Sequence, residues 1–96
     1  MVLFEWDETK NQRNIDKHGI DFEIAQWIFE DPHCVTYIER IESGEERWHG
    51  IGTIEGLLLL VVVHTFCEVE ADQIIRIISA RQATRHERKL YETANR

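Results

Sequence analysis

The spacing of apolar and polar residues changes period along the chain, and each change marks a new kind of element. Leu3-Phe4-Glu5-Trp6 predicts a short extended lead-in whose Phe4 and Trp6 pack into the core. Asp7 follows as an N-cap, with Glu8 in a first turn where the helix dipole favours an anion. The first helix is expected to run to Lys17 or His18, two cations placed in its last turn, and Gly19 suits the left-handed position beyond it. Asp21 caps a second helix whose Phe22, Ala25, Ile28 and Phe29 form an apolar stripe, and Asp31-Pro32 stops it.

From His33 the period shortens to two. Cys34–Ile38 reads as a strand, Glu42–Glu45 as a turn around Gly44, and Glu46–Thr53 as the returning strand. Beyond Glu55-Gly56, the segment Leu57–Phe66 is apolar at both parities through Val63, which predicts a central strand buried on both faces. The acidic Glu68–Asp72 leads into a last strand from Gln73 to about Arg81. Thr84 and Glu87 then open a closing helix as a reciprocal capping box. The expected fold is α+β: two N-terminal helices, a four-stranded antiparallel sheet and a C-terminal helix, with the helices packed on one sheet.

Length and charge sharpen this picture. A chain of 96 residues makes one domain, residues 1–96. Cys34 and Cys67 form no Cys-x-x-Cys pair, which favours reduced thiols and a cytoplasmic protein. The apolar run Leu57–Val63 is far short of the ~20 residues that span a bilayer, and no basic, apolar, small-residue leader opens the chain, so no membrane role is expected. The net charge of −7 argues against general affinity for nucleic acid. It is unevenly spread, however. From Gln73 to Arg96, six cations face two acids for a local +4, which leaves −11 on the preceding residues.

Several short motifs carry a family resemblance. Arg76-x-Ile78-Ser79-Ala80-Arg81 followed by Glu87-Arg88-x-x-Tyr91 occurs with Phe4-Glu5-Trp6-Asp7, Lys17-His18-Gly19 and Gly44-x-Glu46-Arg47 upstream. In that order they resemble the BrnT family of bacterial toxins, from Phe4 to Tyr91. The resemblance implies a RelE-like ribonuclease fold and metal-independent RNA cleavage that inhibits translation. It also implies neutralisation by a small DNA-binding, BrnA-like antitoxin, with DNA contacted only through the complex. No cofactor and no metal are expected.

RNA cleavage without metal needs a base for the 2′-hydroxyl, an acid for the leaving 5′-oxygen and cations for charge growing on the phosphoryl oxygens. Arginine suits the last task because its planar fork grips phosphate bidentately. Arg81 at a strand end supplies such a cation, and Arg47 and Arg76 add others; a buried ion pair is the structural alternative for Arg76. In a regular strand Arg76 and Arg81 point to opposite faces, so they share a pocket only if a bulge intervenes or Arg81 has left the strand. Imidazole suits acid/base work near neutral pH, which singles out His18, with dipole-favoured capping as its alternative role. The expected catalytic set is thus His18, Arg47, Arg76 and Arg81, the resemblance adding weight to each. Lys17, Arg85, Arg88 and Tyr91 are the expected RNA contacts, although an anchor between helix and sheet is the favoured role for Tyr91. His49 shares a strand face with Arg47 and is a further candidate, whereas Glu46 fits a salt bridge better than a base. A non-catalytic module whose basic closing helix binds an acidic partner remains the rival reading.

Overall fold

Capping sets the first helix. The Asp7 carboxylate accepts from the backbone N–H of Thr9 and Lys10, and Gly19 closes the helix at φ 72° with its N–H on the carbonyl of Ile15. The computed structural model describes Met1–Arg96. Its elements are β1 (Val2–Trp6), α1 (Glu8–His18), α2 (Phe22–Ala25) with a 3-10 continuation (Gln26–Glu30), β2 (Val35–Glu42), β3 (Glu45–Ile54), β4 (Leu58–Val69), β5 (Asp72–Gln82) and α3 (Arg85–Ala94). They form one sheet in the order β1-β5-β4-β3-β2.

The α+β class stands, but the four-stranded antiparallel sheet behind two N-terminal helices does not. The sheet has five strands and is mixed, because Val2–Trp6 pairs in parallel with Gln73–Ile77 along the outer edge of β5. Phe4 and Trp6 bury their rings against the core while Glu5 points away, so the lead-in alternates as a strand does. The second helix is also different: one α-helical turn passes into a 3-10 segment. Its fully buried residues are Phe22, Ala25 and Ile28, a spacing of three that matches the tighter helix better than the α period.

Two apolar clusters hold the sheet. On one face Phe22, Ala25 and Ile28 pack on Leu60, Val62, Ile75, Ile77 and Ala80. On the other, Ile51, Leu59 and Val61 lie beneath Tyr37, Ala83 and Tyr91, the last carried by α3. The run in β4 is therefore buried from both sides, as its dual parity predicts, except that Leu57 precedes the strand and is 88% exposed. Gly52 lets β3 pass close beneath the 3-10 segment, where a Cβ would lie 2.9 Å from the Ile28 carbonyl oxygen.

Two polar clamps fix the helices to this sheet. Asn14 in α1 is buried and meets the free edge of β5 beyond the reach of β1. Its Nδ2 donates to the carbonyls of Ala80 and Ile20 at 2.8 Å each, and its Oδ1 accepts from the Ala80 N–H at 3.0 Å. Asp31 ties β3 to α3, accepting from the Thr53 N–H, the Thr53 hydroxyl and, at 2.7 Å, the Tyr91 hydroxyl. Burial alone would raise the Asp31 pKa, but these donors and the His33 N–H outweigh it and hold the group down to about 2.

Leu60→Ala is expected to cost about 2–5 kcal/mol by chemical denaturation, since Leu60 is fully buried. Asp31 contributes stability above its unfolded pKa that disappears as pH falls towards about 2. Asp31→Asn should therefore lower the melting temperature at neutral pH and flatten the acid limb of the stability curve. An unchanged acid limb in that variant would show that the clamp carries no linkage.

Candidate functional site

A bulge in β5 puts the candidate arginines on one face. Val63 pairs with Ser79 but His64 pairs with Ile77, so Ile78 is an extra residue opposite that step. Its insertion resets the alternation: Ile77 and Ala80 both face the helix-packed core, and Arg76, Ser79 and Arg81 therefore share the opposite face. Arg47 and His49 of β3 lie on that face too, in phase with Ile51 of the second cluster.

Cross-strand pairing arranges this face in rows. Glu5, Arg76 and Thr65 pair across β1, β5 and β4, with Arg47 and its partner Arg40 continuing the row on β3 and β2. Ser79, Val63, His49 and Tyr37 make the next row, and Arg81, Val61, Ile51 and Val35 the one after. An imidazole therefore sits between two rows that carry arginine. The ring nitrogen Nδ1 of His49 lies 3.1 Å from the Tyr37 hydroxyl, and burial pushes the His49 pKa below the ordinary imidazole value, favouring the neutral ring.

Arg81 is held rather than free. Its Nη1 and Nη2 donate to the two carboxylate oxygens of Glu87 at 2.6 and 2.8 Å, and Nη1 also reaches the Gln82 carbonyl at 3.3 Å. Glu87 is buried and at the same time completes the capping box of α3 by accepting from the Thr84 N–H. The hydrogen bonds from Arg81 hold the Glu87 carboxyl down to about 2, and Glu87 in turn raises the Arg81 pKa. Three N–H contacts leave two of the five guanidinium donors for a ligand.

Two adjoining clefts collect most of the expected site residues. One, of 390 Å³, runs between α1 and β5 and is lined by Lys17, His18 and Arg81 together with Lys10, Arg13 and Ser79. The other, of 680 Å³, is lined by Arg47 and Arg76 with Thr65, Glu5 and Glu45, and Lys10 belongs to both. Arg47 is four-fifths buried; its Nη2 is 3.3 Å from Glu45, and its Nε, enclosed without a hydrogen-bond partner, lies 3.7 Å from Glu42. Arg76 lies 3.6 Å from Glu5. Arg85 and Arg88 are exposed on α3. Tyr91 instead turns its hydroxyl to Asp31, so its anchoring role is visible in the structure.

Other candidates lie outside the set to which the sequence points. Lys10 and Arg13 share helical spacing with Lys17, a signal that is present but common on solvated helices. Tyr37 becomes notable only through its register opposite His49. The pairing of Arg81 with a residue of the capping box has no local sequence sign. No group of three or more His, Cys, Asp or Glu side chains is placed to hold a metal ion. No helix is long and apolar enough to cross a membrane.

The geometry can be set beside known proteins. The sequence profile of the family described as "Ribonuclease toxin, BrnT, of type II toxin-antitoxin system" matches residues 6–87. Among solved structures, the chain is similar to the crystal structure of the Brucella abortus ribonuclease toxin, BrnT, determined at 1.1 Å. The TM-score is 0.59 and the identity 28%, over 88% of this chain and 99% of that one. Comparison with curated proteins finds no match. The chain therefore belongs to the BrnT family of type II toxin–antitoxin systems: it is a ribonuclease toxin, and an antitoxin is its implied partner.

Proposed function

We propose that RNA is cleaved where β5 faces α1, by attack of the 2′-hydroxyl on the adjacent phosphorus without a metal ion. The observation that carries this reading is the bulge at Ile78, which puts Arg76 and Arg81 on one face beside Arg47 and His49. Fixed guanidinium groups there take the charge-stabilising part that a metal ion would otherwise fill. Arg81 offers its two remaining donors to the scissile phosphate, with Arg76 and Arg47 two rows away on the same face and the His49 row between them. Lys17, Arg85 and Arg88 contact the flanking strand.

Acid/base work falls to His18, which lines the same cleft as Arg81, and to His49, whose half-buried ring is suited to accept the 2′-hydroxyl proton. The products are a 2′,3′-cyclic phosphate and a 5′-hydroxyl, and loss of message halts translation. The antitoxin is a small DNA-binding protein, and DNA is bound only through the complex; the toxin's own charge of −7 supports that division of labour.

Purified protein should cleave RNA in EDTA. Arg81→Ala should lower kcat roughly a hundred- to a thousand-fold, the scale of losing one oxyanion donor. Arg81→Lys should restore only part of that, because an ammonium lacks the fork. His18→Ala and His49→Ala should each remove one limb of the pH–rate profile, with circular dichroism confirming that each variant is folded. Undiminished cleavage by all of these variants would sink the assignment, and wild-type cleavage that EDTA abolishes would defeat the metal-free mechanism.

A further inference from the structure

The cations of this protein fall into two kinds. Arg40, Arg47, Arg76 and Arg81 each have a carboxylate within 4.0 Å, so their charge is offset locally. Lys10, Arg13 and Lys17 on α1, like Arg85, Arg88, Lys89 and Arg96 near the C-terminus, have no such partner and are all exposed, but only the three on α1 border a cleft. They lie on one helical face, and the cleft they border contains no acid, in a chain with 18 acids and 11 Lys and Arg residues. The carboxylate of Glu8 is turned to Trp6, Asn11 and Gln12, and neither Glu8 nor Asp16 lines the cleft. Asn14 locks this helix to the β5 edge, so the three cations are carried by a fixed element.

We propose that Lys10, Arg13 and Lys17 form a phosphate-binding track for single-stranded RNA that leads into the cleft at Arg81. The inference rests on the RNA-cleaving reading above and extends it from the scissile phosphate to the neighbouring ones. Lys10 to Lys17 spans about 10 Å of helix axis, long enough to meet more than one phosphate. Lys10 also lines the second cleft, so the track is continuous with the row holding Arg76 and Arg47. Unpaired ammonium and guanidinium groups bind a polyanion by displacing its counterions and need break no internal ion pair to do so. The track is sequence-blind, since its contacts are with the backbone and carry no base information.

The test uses a fluorescent, short 2′-O-methyl RNA, which lacks the attacking hydroxyl and reports binding without cleavage. Fluorescence anisotropy is measured over a range of KCl concentrations for wild type, the double variant Lys10→Ala with Arg13→Ala, and Lys89→Ala. Lys89 is an exposed cation of α3 outside both clefts. Each lost phosphate contact should reduce the slope of log K against log salt by about 0.7, so the double variant should lose about 1.4 and bind at least tenfold more weakly at low salt. Lys89→Ala should keep the wild-type slope. Wild-type affinity and slope in the double variant would overturn the proposal, as would an equal loss in Lys89→Ala, which would reduce the effect to net charge. Polyglutamate displacing the RNA at matched ionic strength would likewise overturn it in favour of an acidic protein ligand. Track binding with no cleavage of ordinary RNA would leave this proposal standing and defeat the catalytic reading instead.

Discussion

Insertion of Ile78 into β5 decides what the rest of the sheet can do. With regular alternation, a strand that buries Ile77 in the helix-packed core would turn Ala80 to the opposite face and drive Arg81 into that core. The extra residue keeps Ile77 and Ala80 both buried, at 1% and 0% exposure, and sends Arg81 to the other face with Arg76. A guanidinium left unpaired in the apolar core would cost several kcal/mol, far more than one irregular step in the ladder. Because β1 ends opposite Ile77, the Ala80 edge stays free for Asn14, and α1 docks there, just beyond the bulge. The bulge and the end of β1 together set the two walls of the cleft.

The pair Arg81 and Glu87 extends this constraint to α3. Glu87 satisfies the Thr84 N–H at the start of that helix and grips the Arg81 fork, so the cap and the site share one carboxylate. Asp31 has the same character at the other end, joining β3 to Tyr91. Both carboxyls are held down to about 2, so each is an anion at neutral pH. Holding Arg81 this way would limit its loss of side-chain entropy on binding the proposed phosphate, because the planar fork is already oriented.

What the sequence disclosed follows from range. Caps and turns are local, so Asp7, Gly19, Asp21 and the Thr84–Glu87 box can be read directly, as can the strand whose apolar run has no parity. The parallel pairing of β1 with β5 joins residues about seventy positions apart, and a five-residue strand interrupted by Glu5 gives little local sign of it. The change from α to 3-10 after Ala25 depends on Ile28 fitting above Gly52, a contact between distant segments. Arg47, Arg76, Arg81 and His18 stand out by residue type, whereas their division between two clefts follows from the bulge and from where Asn14 places α1. Tyr37 is the plainest case, since its chemistry depends entirely on being opposite His49.

An acidic protein that handles RNA needs its few cations where remote acids cannot cancel them. At physiological ionic strength charge is screened over about 8 Å, so a phosphate inside the α1–β5 cleft responds to Lys10, Arg13, Lys17 and Arg81 much more than to carboxylates on distant surfaces. Outside the cleft the overall charge of −7 opposes loose, non-specific association with a polyanion. A single strand can thread into such a cleft, whereas the stiff duplex presents both backbones to the acidic surroundings as well. On the proposed reading, local concentration of cations within an acidic chain would do more than permit RNA binding: it would favour strands that can reach the cleft.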